Sequence, residues 1–132
     1  MKITEEHNER FAKMLFNSVY PLYLSKIEKK GRTKEELHQV IGWLTGYDNK
    51  SIQTHIGENI TFAKFFENAT MNPNVHLITG VIFGYRIEEI ENVLTKRVRY
   101  LDKLVDELAE SKKMEKILRT KEKKRTAKKE LV

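Results

Sequence analysis

Apolar residues recur along this chain mainly at three- and four-residue steps, the spacing that buries one face of an α-helix. Near the N-terminus the spacing is carried by Phe11, Met14, Leu15, Val19 and Leu22. Pro21 removes a backbone donor and crowds the preceding turn. We therefore expect a kink or break near Ser18–Pro21, and a second helix that runs to Lys30 and ends at Gly31.

Three helices further along the chain have recognisable first turns. In "TKEE", Thr33 and Glu36 form a capping box in which each side chain satisfies the other residue's free backbone donor. Asp48 and Thr61 have the short oxygen-bearing side chains that cap helices, and each precedes a short apolar run. Gly46 closes the first of these three helices, because glycine adopts the left-handed cap conformation without steric cost.

The most apolar stretch of the chain is "MNPNVHLITGVIFGYRIEEIE", residues 71–91. Its apolar residues follow helical spacing, although their β-branched side chains also suit a strand. No other segment shows the alternating pattern of a partner strand, and an unpaired strand leaves backbone groups unsatisfied. We therefore predict a buried helix over Leu77–Tyr85, in which Gly80 and Gly84 form a flat strip for close helix packing. Large apolar residues between the glycines, and the lack of a lysine, argue against a phosphate-binding loop.

A longer 3-4 rhythm begins at Ile87 and runs through Leu94, Leu101 and Leu104 to Leu108, with Arg97 at the one seam position that is not apolar. It predicts the longest helix, followed by a break near Ser111 and a short last helix. In a chain of this size such a seam more often packs inside its own fold, which favours a monomer, but it also fits a coiled-coil homodimer. The predicted fold is all-α, a compact bundle of about six to eight short helices with one long helix near the C-terminus.

The net charge of +6 is concentrated at the C-terminus. Residues 111–132 hold 10 Lys or Arg and 3 Glu, which leaves 15 basic and 16 acidic side chains in residues 1–110. We divide the chain into a helical domain, residues 1–118, and a basic, disordered tail, residues 119–132, whose removal should hardly change stability. The tail is either a solvated segment or a weak, sequence-indifferent contact for nucleic-acid phosphates. The candidate polyanion-binding residues are Lys121, Lys123, Lys124, Arg125, Lys128 and Lys129.

Composition also bears on the compartment. The chain has no cysteine, which is typical of a reducing compartment. No apolar run reaches the ~18 residues of a membrane span, and the N-terminus is too polar for a signal peptide. We therefore expect a cytoplasmic protein that does not contact a membrane.

The residues that usually carry chemistry are scattered. His7, His38, His55 and His76 have no partner at metal-ligand spacing, so we predict no metal and no cofactor and expect these histidines at the surface or at helix ends. No nucleophile motif is present, so the evidence leans against an enzyme without excluding one. Residues 34–56 could form a helix-turn-helix, but Lys50, Gln53 and His55 are a thin set for reading DNA.

Aromatic and polar residues near the predicted helix ends are the candidate ligand-binding residues: Tyr20, Trp43, Tyr47, Asn72 and Arg86. Amphipathic aromatic side chains are favoured in binding surfaces, although they also close the ends of small helical cores. The sequence favours a non-catalytic protein that binds an unknown protein partner. The alternatives are a nucleic-acid accessory protein that uses the tail, and an enzyme or small-ligand protein with a site at these residues.

Several long motifs, in fixed order, resemble one family. They are "VYPLYLSKIEKKGRTKEEL", "WLTGY", "MNPN", "LITGVIFGYRIEEIE" and "RYLDKLVDELAESKKMEKILR". In this order they are similar to the small bacterial family called domain of unknown function 2200, over about residues 17–119. The resemblance implies a single bacterial domain and brings no assigned activity and no site residues with it.

Overall fold

The computed structural model describes residues 5–119, and this part of the chain is mainly helical. Its α-helices are α1 (Glu5–Lys13), α2 (Phe16–Glu28), α3 (Lys34–Thr45), α4 (Asn49–Gly57), α5 (Phe62–Glu67), α6 (Val93–Ala109) and α7 (Met114–Ile117). Two short 3-10 helices, Pro73–Leu77 and Ile87–Glu89, flank a hairpin of strands β1 (Val81–Ile82) and β2 (Tyr85–Arg86). The predicted bundle of short helices with one long helix near the C-terminus is confirmed, with the hairpin as an addition.

The first turns of α3, α4 and α5 are those that the sequence predicts. The backbone N–H of Glu36 donates to Thr33 Oγ1 at 3.2 Å, and that of Thr33 donates to Glu36 Oε1 at 2.9 Å, which completes the capping box. Asp48 and Thr61 accept from backbone donors at the starts of α4 and α5. Gly46 ends α3 in the left-handed conformation, with φ of +79°. Local capping chemistry therefore fixes these three helices.

Helix α6 lies at the centre of the bundle and packs against α1, α2, α3 and α5. The seam residues Leu101, Leu104 and Leu108 are fully buried in the chain's own core. Arg97 donates to the Phe66 backbone oxygen at 3.2 Å, which gives this charged seam residue a partner. The helix begins later than the predicted Ile87, because Asn92 caps it by accepting from the Thr95 backbone at 2.9 Å.

The predicted helix over Leu77–Tyr85 is wrong. Val81 pairs with Arg86 and Ile82 pairs with Tyr85 in an antiparallel hairpin. Phe83 and Gly84 form its turn with φ of +53° and +85°, and positive φ at both central residues is typical of the tightest hairpins. A strand needs a partner, and here the partner comes from the same segment. Burial of Ile82 against α6 accounts for the apolar pattern.

The two glycines of this segment therefore have a different role from the one predicted. Gly80 and Gly84 both have positive φ, +103° and +85°, which other residues rarely adopt. A Cβ added at Gly80 would meet only the side chain of Lys103, at 3.7 Å. A larger residue at Gly80 would destabilise the fold through its backbone, since the flexible Lys103 side chain leaves room for a Cβ.

The break between the first two helices also differs from its predicted place. It falls at Met14–Leu15, where Leu15 forms a β-bridge with Thr61 and the Phe16 backbone N–H donates to the Ile60 oxygen at 2.8 Å. Pro21 lies inside α2, which continues past it to Glu28. Leu22, predicted to face the core, is 68% exposed. Contacts between distant segments, and not the proline, end α1.

The C-terminal end of the described chain is tied to the body by Arg119. Its guanidinium donates to both carboxylate oxygens of Glu107, at 3.0 and 2.8 Å, and Nε donates to the Leu77 backbone oxygen at 3.1 Å. Glu107 is only 2% exposed, so the carboxylate of this ion pair is buried, while the Arg119 side chain is 15% exposed. Arg119, which the sequence places in the tail, makes structural contacts of the helical body. Within residues 5–119, no helix has both the length and the apolar character that a membrane crossing requires.

Candidate functional site

An exposed apolar surface surrounds the hairpin turn. Phe83, Val81 and Leu22 are 58%, 48% and 68% exposed, large values for side chains of this kind. The Phe83 ring lies 5.8 Å from Lys26 Nζ, and Leu22 precedes Lys26 by one turn of α2. We call these four residues, Leu22, Lys26, Val81 and Phe83, the hairpin surface.

A charged network beneath this surface holds the Phe83 ring. The Arg99 guanidinium lies 5.1 Å from the Phe83 centroid and also faces Phe11 and Tyr85, at 4.8 and 5.4 Å. Its Nη1 donates to Asp102 Oδ2 at 2.8 Å. A planar cation packed among aromatic rings and fixed by a carboxylate has little freedom to move. The Phe83 ring therefore rests on a rigid support.

Asp102 connects this network to α2. Its Oδ1 accepts from the Tyr23 hydroxyl at 2.7 Å, while its Oδ2 accepts from Arg99. Burial raises the pKa of Asp102, and the hydrogen bonds from Tyr23 and Arg99 oppose that rise. Burial, together with the Asp102 charge, raises the pKa of Tyr23 well above its usual value. Both oxygens of Asp102 are thus engaged in holding other side chains.

Further contacts fix the two arms of the hairpin. Lys103 Nζ donates to the Val81 backbone oxygen at 3.2 Å, and the Gly80 backbone N–H donates to Glu88 Oε1 at 3.0 Å. Hydrogen bonds from its own backbone and from Gly80 lower the pKa of Glu88. Lys26 pairs with Asp106 at 3.2 Å, which ties α2 to α6 beside the turn. The exposed surface is therefore carried by well-anchored elements.

A second feature is a polar cleft between α3 and α4, with a volume of about 430 Å³. Its lining residues, which define the α3–α4 cleft, are Lys34, Glu35, His38, Gln39, Gly42, Tyr47, Asn49 and Gln53. Gly42 allows the backbone at Tyr47 to lie close to α3, because a Cβ at position 42 would be only 3.0 Å from the Tyr47 backbone oxygen. The Tyr47 hydroxyl donates to the Phe65 backbone oxygen at 2.6 Å, which fixes its ring at the cleft wall.

His38 lines this cleft, is 7% exposed and is hydrogen-bonded through both ring nitrogens. Nδ1 lies 2.6 Å from Asn49 Oδ1, and Nε2 lies 2.5 Å from the Tyr20 hydroxyl. The Asn49 oxygen can only accept, so Nδ1 carries the proton and, in the neutral ring, Nε2 accepts from Tyr20. Burial, followed by the charges of Glu28 and Glu35, raises the pKa of Tyr20. The imidazole is therefore held in one orientation.

The structure distributes the predicted ligand-binding residues over several places. Tyr20 and Tyr47 lie beside or within the α3–α4 cleft, and Trp43 is half-buried against the core. Asn72 caps the 3-10 helix Pro73–Leu77, and Arg86 is exposed in β2, where it pairs with Val81. Ligand binding by these residues stays a prediction. The candidate polyanion-binding residues, Lys121, Lys123, Lys124, Arg125, Lys128 and Lys129, lie outside the described part of the chain.

Three residues of these features escaped the sequence analysis. His38 was expected at the surface or a helix end, but it is 7% exposed inside α3. Its position one turn before Ile41 and next to Leu37 places it on the apolar face, which is the signal that could have indicated burial. Gly80 and Gly84, which flank the β-branched pair Val81–Ile82, were the available signal for a turn. Arg99 could be paired with Asp102 from their spacing, but its aromatic neighbours come from other elements.

Comparisons with known proteins give a family and a fold. The family described as uncharacterised proteins conserved in bacteria, domain of unknown function 2200, matches residues 10–119. A crystal structure of the uncharacterised protein SP1917 is similar, with a TM-score of 0.79 and 40% sequence identity over 83% of this chain and 91% of that one. No protein of curated function matches the chain. Because the family match covers most of the chain, this protein belongs to the bacterial family domain of unknown function 2200.

Proposed function

We propose that this protein is a non-catalytic binding protein that docks another protein through the hairpin surface. The observation that carries the proposal is the combination of a positive φ and an exposed ring at Phe83. Its backbone adopts φ of +53°, a conformation that costs a residue other than glycine of order 1 kcal/mol or more, yet its ring is 58% exposed. A strained turn that presents a large aromatic ring to solvent is typical of a functional position.

The support beneath Phe83 strengthens the proposal. Aromatic side chains and arginine dominate the binding energy of many protein interfaces. The ring already rests on Arg99, so little conformational entropy is lost when a partner covers it. The polar groups nearest the ring are engaged with one another in positioning roles, as in the Arg99–Asp102–Tyr23 network. These features support binding over catalysis at this surface.

The partner that fits this surface is a protein with an apolar pocket for the Phe83 ring and with carboxylates at the rim. Val81 and Leu22 add exposed apolar area to the hairpin surface. The Lys26 side chain, paired with Asp106, is 41% exposed, and Arg86 of β2 is exposed. The cysteine-free composition supports a cytoplasmic place for this encounter. The basic tail supports a second candidate function, contact with nucleic acid.

Site-specific photocrosslinking in bacterial cells that express the chain tests the proposal. A photoreactive phenylalanine analogue placed at position 83 should capture one protein, whereas the same analogue at Val93, which is 63% exposed on α6, should not. The captured protein, once purified, should bind Phe83→Gly at least about 30-fold more weakly than wild type, as expected for a central aromatic anchor. Phe83→Gly should still fold with nearly unchanged stability, because glycine accepts positive φ and offsets the lost ring contacts.

Two results would overturn this function. One is wild-type affinity of the captured protein for Phe83→Gly. The other is an absence of any adduct at position 83 above the level seen at Val93.

A further inference from the structure

The α3–α4 cleft shares no residue with the hairpin surface, and its side chains have a different character. Its volume of about 430 Å³ lies in the range of small-molecule sites. Two rings line it, the imidazole of His38 and the phenol of Tyr47, and both are fixed by hydrogen bonds to other parts of the chain. The cleft lining therefore includes two fixed rings, the kind of side chain on which heterocyclic bases stack.

Amide side chains from both helices face this cleft. Gln39 belongs to α3 and Gln53 to α4, and both are exposed. Within residues 5–119, neither side chain forms a hydrogen bond with another residue. A carboxamide offers an acceptor and a donor side by side, which matches the adjacent acceptor and donor on the edge of adenine. The cleft lining therefore combines two uncommitted amides with two fixed rings.

The first turn of α3 brings two charged side chains to the same cleft. Lys34 supplies an ammonium group, the usual point-charge partner of a phosphate. Glu35 supplies a carboxylate, a group that accepts hydrogen bonds from ribose hydroxyls in other nucleotide sites. The residues of this cleft therefore include a complementary group for each part of a nucleotide: the base, the sugar and the phosphate.

We propose that the α3–α4 cleft binds an adenine mononucleotide. In this assignment Gln39 and Gln53 contact the base edge, the rings of His38 and Tyr47 contact its face, and Lys34 contacts the phosphate. Asn49 and Tyr20 are positioning residues, since they fix the His38 ring. Protein binding at the hairpin surface does not depend on this assignment.

Titration of the full chain with AMP, followed by nitrogen-proton NMR correlation spectra, tests the assignment directly. AMP should give saturable shifts of the Gln39 and Gln53 side-chain amides, adenosine should bind more weakly, and ribose 5-phosphate and inorganic phosphate more weakly still. Gln39→Ala and Gln53→Ala should each weaken AMP binding about tenfold, at the low end of the effect of one base-edge contact. Lys34→Ala should weaken AMP without changing adenosine.

Lys50→Ala is the matched control, because Lys50 is exposed on α4 and does not line the cleft. It should bind AMP as the wild type does. The proposal is overturned by the lack of a saturable shift with AMP, by ribose 5-phosphate binding as tightly as AMP, or by wild-type affinity in both glutamine variants. The NMR spectra themselves report whether each variant is folded.

Discussion

Two buried tyrosines on α2, one turn apart, lie in polar networks of opposite kind. Tyr20 is hydrogen-bonded to Nε2 of the His38 imidazole, whose other nitrogen donates to Asn49. Tyr23 donates to the carboxylate of Asp102, whose other oxygen pairs with Arg99. The first network connects α2 to α3 and α4, and the second connects α2 to α6. One helix is therefore anchored by a neutral network and by a charged one.

The difference between the networks matters for the surfaces above them. Loss of one member from the neutral network leaves a neutral polar group, and the cleft beside His38 admits water to replace the missing partner. Loss of one member from the charged network leaves a largely buried ion without its partner, which costs more. Stability should therefore constrain the support of the hairpin surface more strongly than it constrains the lining of the α3–α4 cleft.

The largest effect is expected at the charged network. Asp102→Ala removes the partner of Arg99, which is already short of one partner because its buried Nε has none within residues 5–119. Leaving a buried charge unpaired costs about 3–5 kcal/mol. Chemical denaturation of Asp102→Ala should show a loss of that size in the free energy of unfolding.

Asn49→Ala is the matched substitution in the neutral network. It leaves the Nδ1 proton of His38 without its partner and should cost about 1–3 kcal/mol, with water limiting the loss. If Asn49→Ala destabilises the protein as much as Asp102→Ala does, the distinction between the two networks is wrong.

Glu107 is a second buried carboxylate paired with an arginine, and this pair changes the predicted effect of removing the tail. Truncation after Leu118 was expected to leave stability almost unchanged, but it removes the guanidinium that binds both oxygens of Glu107. Lys112 remains 3.5 Å from Glu107 and offsets part of the loss. We expect truncation after Leu118 to cost about 2–3 kcal/mol, somewhat below the value for a fully unpaired buried charge.

Truncation after Arg119 provides the control, because it keeps this ion pair. Equal unfolding free energies for the two truncated chains would show that Arg119 contributes nothing to stability.

The chain that ends at Arg119 is also the better one for testing the tail. If the tail binds duplex DNA through about five phosphates, the full chain should show a slope near −4 to −5 in log K against log salt, and the truncated chain should not bind.

Sequence alone was sufficient where short-range chemistry decides the structure. Thr33, Asp48 and Thr61 cap helices at their predicted positions, because a cap depends on residues only a few positions away. The buried seam of α6 also followed from spacing, since one periodic face has to meet the core. The break near Ser111 and the short helix α7 were predicted in the same way.

Sequence reasoning failed where the deciding contacts are distant or the local signals conflict. The Tyr23–Asp102 bond joins residues 79 positions apart, and no spacing rule points to it. In the hairpin, β-branched residues matched a helical period by coincidence, and the turn at Phe83–Gly84 outweighed that pattern. Neither the hairpin surface nor the α3–α4 cleft could therefore be assembled before the fold was known.

The smallest expected effect is that of Tyr20→Phe, measured beside the matched substitution Tyr23→Phe. At neutral pH Tyr23→Phe should cost about 1.5–3 kcal/mol, because it removes a hydrogen bond to a charged group. Tyr20→Phe should cost about 0.5–1.5 kcal/mol, because its partner is neutral.

The folded-state pKa of each tyrosine is raised, that of Tyr23 the more strongly. Each hydroxyl therefore contributes stability that is present below about pH 10, where the unfolded tyrosine titrates, and is lost as the pH rises through the folded pKa. Within that window the wild type should lose stability as the pH rises, by no more than about 1.4 kcal/mol per pH unit for one such group, a loss that phenylalanine cannot show. Denaturation series from about pH 9 to about 11 should thus show a flatter profile for each variant, with the flattening extending further toward alkaline pH in Tyr23→Phe. Parallel profiles in all three proteins, or a larger neutral-pH loss in Tyr20→Phe, would show that the charge on Asp102 does not distinguish the two ends of α2.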